Sequence, residues 1–163
     1  MQASSGATLP LPLPLHWPLA CGNWSGAVAW LSLVFALGPT TVLFGKHTDK
    51  LDADRQKSVH TLPVLLGERR ARQATAALLL AQYVLTLVLV FAGAFGWPLL
   101  LVFASIPSLY RSLQMLRQPK PVTRPESYPD KLWPLWFSAA CFRHTRHFTP
   151  LFLLGLILDT LLQ

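Results

Sequence analysis

Three carboxylates and four cations crowd into Lys46-His-Thr-Asp-Lys-Leu-Asp-Ala-Asp-Arg-Gln-Lys57, where Asp49, Asp52 and Asp54 are interspersed with Lys46, Lys50, Arg55 and Lys57. A hard divalent cation binds carboxylate oxygens, and lysine and arginine bind the phosphate oxygens that such a cation also takes. This is the chemistry of a magnesium-dependent diphosphate site. Mg2+ is its expected cofactor, the three aspartates its metal ligands and the four cations the contacts of the diphosphate. Asp49 and Asp52 stand three residues apart, a spacing that puts them on one face of a helix. The competing reading is a solvated connector whose opposite charges offset one another. His47 and His60 lie in or just beyond the stretch and are expected to make interfacial hydrogen bonds. His144 and His147 also have helical spacing, but no third ligand stands near them and Arg143 and Arg146 would repel a cation, so they read as interface residues.

The segments that must position these residues are apolar enough to enter a lipid bilayer. Of 163 residues, 52% are hydrophobic and 13% charged, and the mean hydropathy is +0.40. With the charges gathered in a few patches, this composition describes an all-α, polytopic helical membrane protein. A helix needs about 20 apolar residues to cross the hydrocarbon. Residues 25–45 carry no ionisable group and form the first expected span, kinked at Pro39. Residues 73–110 are uncharged but too long for one crossing, and Gly93, Gly96 and Pro98 divide them into a hairpin of spans 74–94 and 97–113. Residues 148–163 complete about four transmembrane helices, with Asp159 expected to snorkel or to lie beyond the outer interface. Between them, Trp133 to Phe142 reads as a re-entrant or interfacial segment, since Pro134 and clustered aromatics suit headgroup depth.

This layout puts every Lys and Arg on one side. Seven of the 14 lie between Lys46 and Arg72 and seven between Arg111 and Arg146, while the hairpin tip Phe95-Gly-Trp97 has none. By the positive-inside rule the Asp-rich loop, 46–72, is expected on the cytoplasmic side of an integral, multi-pass protein. The net charge of +7 follows from the same asymmetry and points to anionic membrane lipid, not to nucleic acid. Cys21 and Cys141 have neither disulfide nor zinc spacing. Residues 1–24, where Pro10, Pro12, Pro14 and Pro18 interrupt any helix, read as an irregular lead without the basic start of a secretory signal. The domain organisation is therefore this lead followed by a membrane domain over 25–163.

Asp54-Arg-Gln-Lys-Ser-Val-His-Thr-Leu-Pro-Val-Leu-Leu-Gly67 resembles the second aspartate-rich motif of the UbiA superfamily of intramembrane prenyltransferases, in which an acidic-basic pair leads through a basic stretch to Thr-Leu-Pro-Val and a glycine. Lys46-His-Thr-Asp-Lys50 is similar to a variant of its upstream part. One span, an acidic loop and then three spans resemble the second half of that fold, over about residues 25–163. The resemblance implies transfer of a prenyl chain from a polyprenyl diphosphate to a small, commonly aromatic acceptor, with Asp54 as the motif's terminal aspartate. Tyr83, Trp133 and Trp136 are available to face an allylic cation, although packing is the commoner role of such rings. No base is singled out.

The chain departs from the family pattern in two ways. Lys50 stands where a second aspartate is usual, with the acids moved to Asp49 and Asp52. Nothing resembles the family's first motif, so the chain is expected to be a fragment or to draw that wall from a partner subunit. The rival from another class is a non-catalytic small membrane protein, a lipid-binding or scaffolding subunit that reads anionic headgroups through the loop's cations alone. A transporter fits poorly, because the spans hold almost no charge.

Overall fold

The structure, a computed structural model, describes residues 26–162. The irregular lead over 1–24 lies outside the described residues. Four long helical segments cross the molecule in alternating directions: α1 (Gly26–Asp49), α4 (Glu68–Phe91), a 3-10 helix (Trp97–Ser105) that continues into α5 (Ile106–Arg117), and α6 (Phe137–Leu162). Two short helices, α2 (Leu51–Gln56) and α3 (Leu62–Leu66), lie in the loop between α1 and α4. Among the described residues there is no strand.

Three of these segments are long and apolar enough to cross a membrane, Gly26–Asp49, Glu68–Phe91 and Trp97–Arg117. The chain is thus an all-helical membrane protein. Three buried threonine hydroxyls inside the spans are satisfied locally: Thr41 donates to the Gly38 carbonyl at 2.7 Å, Thr75 to Ala71 at 2.8 Å and Thr86 to Gln82 at 2.7 Å. Such bonds are needed where no water reaches the backbone or the side chain. The outward faces carry Trp30, Leu43, Val84, Val88 and Phe91, all exposed, as expected of a surface that lipid covers.

Between the helices, packing follows small residues and aromatics. Gly38, Thr41, Gly45 and Thr48 form one buried stripe on α1, and this stripe faces α6. A Cβ added at Gly45 would meet the backbone nitrogen of Ser138 at 2.8 Å, and one at Gly38 the Thr145 side chain at 3.1 Å. Close backbone approach over small residues is how helices associate where no hydrophobic effect drives them together. The remainder of the core is Val34, Leu79, Leu99, Val102, Phe148 and Phe152 with their neighbours, with Phe148 and Phe152 stacked at 5.8 Å between ring centroids.

Three sequence expectations change. Trp133 to Phe142 is not a separate segment, because α6 already begins at Phe137, its first amides held by a carboxylate from α1. Because Pro63 disfavours helix for the residue before it, Thr61-Leu-Pro-Val64 reads from sequence as the end of a helix. It opens one, with Pro63 in the first turn of α3, where its missing N–H costs nothing. Asp159, expected to snorkel or to lie beyond the outer interface, is buried and accepts a hydrogen bond from the Gly96 N–H at 2.8 Å. That contact ties the end of α6 to the hairpin tip, where an unbonded amide of the 3-10 helix's start would otherwise be left.

Candidate functional site

The aspartate stretch sits where α1 ends, and its local backbone sorts the charged side chains into separate places. Lys50 leaves helical geometry (φ −107°, ψ 16°), yet its N–H still bonds the Lys46 carbonyl at 3.2 Å and the Asp54 N–H bonds the Lys50 carbonyl at 2.8 Å. Lys46, Lys50 and Asp54 therefore follow one another at intervals of one turn. Lys57 comes three residues after Asp54 and is exposed, as are Lys46 and Lys50. Among the described residues none of these three lysines has an acidic partner.

Asp54 is mostly shielded, with 15% of its side chain exposed, and its Oδ2 lies 3.0 Å from His47 Nδ1. His47 thus supports the aspartate that the motif ends on. Asp52 points away from it, 90% exposed, in a loose 3.7 Å pair with Arg55. Asp49 and Asp52 do not share a face, because the bend at Lys50 falls between them. His60 is exposed on the loop after α2.

Asp49 turns inward. Its side chain is fully buried, Oδ1 accepts the Phe137 N–H at 3.0 Å and Oδ2 the Ser138 N–H at 2.9 Å. These are amides of the first turn of α6, which lack intrahelical acceptors and favour a negative charge. Lys120 covers the junction, donating to the Asp49 carbonyl at 3.2 Å and sitting 5.4 Å over the Trp133 ring. Sequence reasoning did not find this joint. Its partners are 71 and 88 residues away along the chain, and no local pattern marks them.

The aromatics proposed to face a cation lie in two places. Trp133 and Trp136 pack on Tyr128, with ring centroids at 6.3 and 4.9 Å, in the loop beside Asp49. Burial first, and then the negative charge of Asp49, push the Tyr128 phenol above its ordinary value, so it stays protonated as the donor to the Leu135 carbonyl. Tyr83 is inside the bundle, its hydroxyl 2.6 Å from Ser105 Oγ and 2.9 Å from His144 Nε2. His144, read from sequence as an interface residue, is completely buried. His147, three residues on, is exposed and its Nδ1 lies 2.7 Å from the Arg143 carbonyl. Ser105 already donates to the Val102 carbonyl at 2.6 Å. The Tyr83 proton then goes to Ser105 and the histidine proton to Tyr83, which makes His144 the Nε2–H tautomer.

Among the described residues, no three His, Cys, Asp or Glu side chains gather around one point. The stretch is therefore not a magnesium cage in itself. It does match the way magnesium is held on a diphosphate, by one or two carboxylates with phosphate oxygens and water completing the octahedron, since Asp54 is flanked by unpaired lysines. In comparison with known proteins, residues 2–139 match the UbiA prenyltransferase family. The match includes the whole stretch from Lys46 to Gly67 and stops just inside α6. No curated protein and no solved structure shows significant similarity to the chain.

Proposed function

Because the chain belongs to the UbiA prenyltransferase family, whose members are membrane-integral prenyltransferases generally dependent on magnesium, we propose that it takes part in moving a prenyl group from a polyprenyl diphosphate to a small aromatic acceptor. The observation that supports this most directly is the row Lys46, Lys50, Asp54 and Lys57, a single shielded carboxylate set among unpaired ammonium groups at the end of a span.

In this reading Asp54 is the carboxylate that holds Mg2+ against the diphosphate, with His47 fixing its orientation. Lys50 and Lys57, continued by Lys46, bind the phosphate oxygens as point charges. Magnesium on a diphosphate neutralises the charge that develops as the carbon–oxygen bond ionises. Asp49 positions this machinery: its side chain is fully buried and each of its oxygens holds a first-turn amide of α6. Asp52 and Arg55 pair with each other on the outer side and stand outside the site. In this reading a second acidic wall comes from an N-terminal half, in the same protein or in a partner subunit, since the described residues of this chain bring only Asp54 to the site. The loop faces the cytoplasm.

The test is uptake of a radiolabelled polyprenyl diphosphate by the purified chain in detergent, with and without Mg2+, followed by pyrophosphate release when a phenolic acceptor and an N-terminal UbiA-type half are added. Magnesium-dependent uptake abolished by Asp54→Asn is the expected result. Uptake that ignores magnesium, or that increases when the aspartates are neutralised, would instead indicate a subunit that reads anionic headgroups.

A further inference from the structure

The start of α4 and the end of α5 meet on the charged side of the bundle, and between them lies a cavity of about 390 Å3 that shares no residue with the aspartate stretch. Arg69, Arg72 and Arg117 form its rim, and Ala76, Leu80 and Leu113 belong to its apolar lining. Ala76 and Leu80 follow Arg72 by one and two turns of α4, so the apolar lining runs roughly 12 Å inward along the helix axis. Leu113 precedes Arg117 by one turn on α5.

The three arginines are not equivalent. Arg72 belongs to the fold: its Nη1 donates to the Leu116 carbonyl at 3.1 Å, its Nε lies 3.3 Å from the Glu68 carboxylate, and its guanidinium stands 5.9 Å from the Phe137 ring centroid. It satisfies a carbonyl at the end of α5 and fixes one wall. Arg69 and Arg117 are exposed, and among the described residues neither has an acidic partner. Of the three guanidiniums, only that of Arg72 is paired with a carboxylate, that of Glu68.

We infer that this cavity binds an anionic phospholipid, with Arg69 and Arg117 on the phosphate oxygens and an acyl chain along Ala76, Leu80 and Leu113. Guanidinium forks match phosphate geometry, and α4 and the segment ending in α5 are both able to cross the bilayer, which puts their charged ends at headgroup depth. A soluble phosphate would gain nothing from the apolar lining. A zwitterionic lipid would bring its own cation to a rim already in positive excess. The inference is independent of prenyl transfer and needs only the membrane setting of these two helices.

The full chain is reconstituted in phosphatidylcholine nanodiscs containing a minor fraction of phosphatidylglycerol, and the retained lipid is identified by native mass spectrometry. The wild-type chain is expected to retain phosphatidylglycerol, and the double variant Arg69→Gln/Arg117→Gln to lose roughly tenfold in that preference. Ala76→Phe, which fills the cavity and leaves every charge, has a similar effect. Arg70→Gln, one residue outside the cavity, leaves retention unchanged. Equal loss with Arg70→Gln would mean diffuse surface attraction and overturn the site, as would no loss with Ala76→Phe. Displacement of the lipid by millimolar inorganic phosphate would overturn it in favour of a soluble anion. Displacement by a polyprenyl diphosphate whose own uptake falls in the double variant would reassign the cavity to substrate.

Discussion

At the scale of single residues, the three aspartates that look alike in the sequence have three different surroundings, and this makes them separable by experiment. Asp54→Asn is expected to lower magnesium-dependent diphosphate affinity by at least tenfold, about 1.4 kcal/mol or more, with little change in thermal stability. Asp52→Asn, on an exposed side chain, is expected to change neither. Asp49→Asn is expected to act on the fold: an amide side chain accepts through one oxygen only, so one of the two α6 amides loses its acceptor. A buried donor left unsatisfied costs about 1–3 kcal/mol, read as a lowered unfolding midpoint in detergent. An affinity loss without a stability loss in Asp49→Asn would return it to the metal. The chemistry of the stretch was legible from residue types alone. The assignment of each carboxylate was not, because it depends on a bend at Lys50 and on amides far along the chain.

At the scale of elements, glycines decide where helices touch and where the chain turns. Gly45→Val puts a branched side chain where even a Cβ would stand 2.8 Å from the Ser138 backbone, and it is expected to cost about 1–3 kcal/mol of stability. Because the clash lies beside the Asp49 joint, α6 should be displaced as well, visible as altered fluorescence of Trp133 and Trp136. Gly67 plays a different part. Nothing crowds it, but its φ of 77° and ψ of 162° belong to a region almost reserved for glycine, so Gly67→Ala is expected to cost about 1–3 kcal/mol through backbone strain alone. The glycine that closes the Thr-Leu-Pro-Val motif is thus explained by the reversal from α3 into α4. The periodic, uncharged spans were readable because a bilayer leaves helices few alternatives. The true start of α6 was not, since Trp133 to Phe142 has a proline and aromatics that suit an interfacial segment equally well.

At the scale of the whole molecule, the charged end and the hairpin tip must lie on opposite sides of the membrane. In a Cys21→Ser/Cys141→Ala background, a cysteine replacing Lys57 is expected to react with an impermeant thiol reagent only from the cytoplasmic side, and one replacing Ala94 only from the other. Reaction of both from the same side would refute the layout. The amino-acid sequence by itself determined the membrane-embedded helical class, the gathering of charge into two stretches and the motif that resembles the UbiA superfamily, because composition and short spacings are local properties that survive without a fold. Tertiary structure alone decided that Asp49 joins α1 to α6, that Asp159 secures the hairpin tip, that His144 is buried against Tyr83 and that three arginines gather at one open cavity. Each of these is a contact between helices distant in sequence, and the geometry of close packing, not any local preference, brings such residues together.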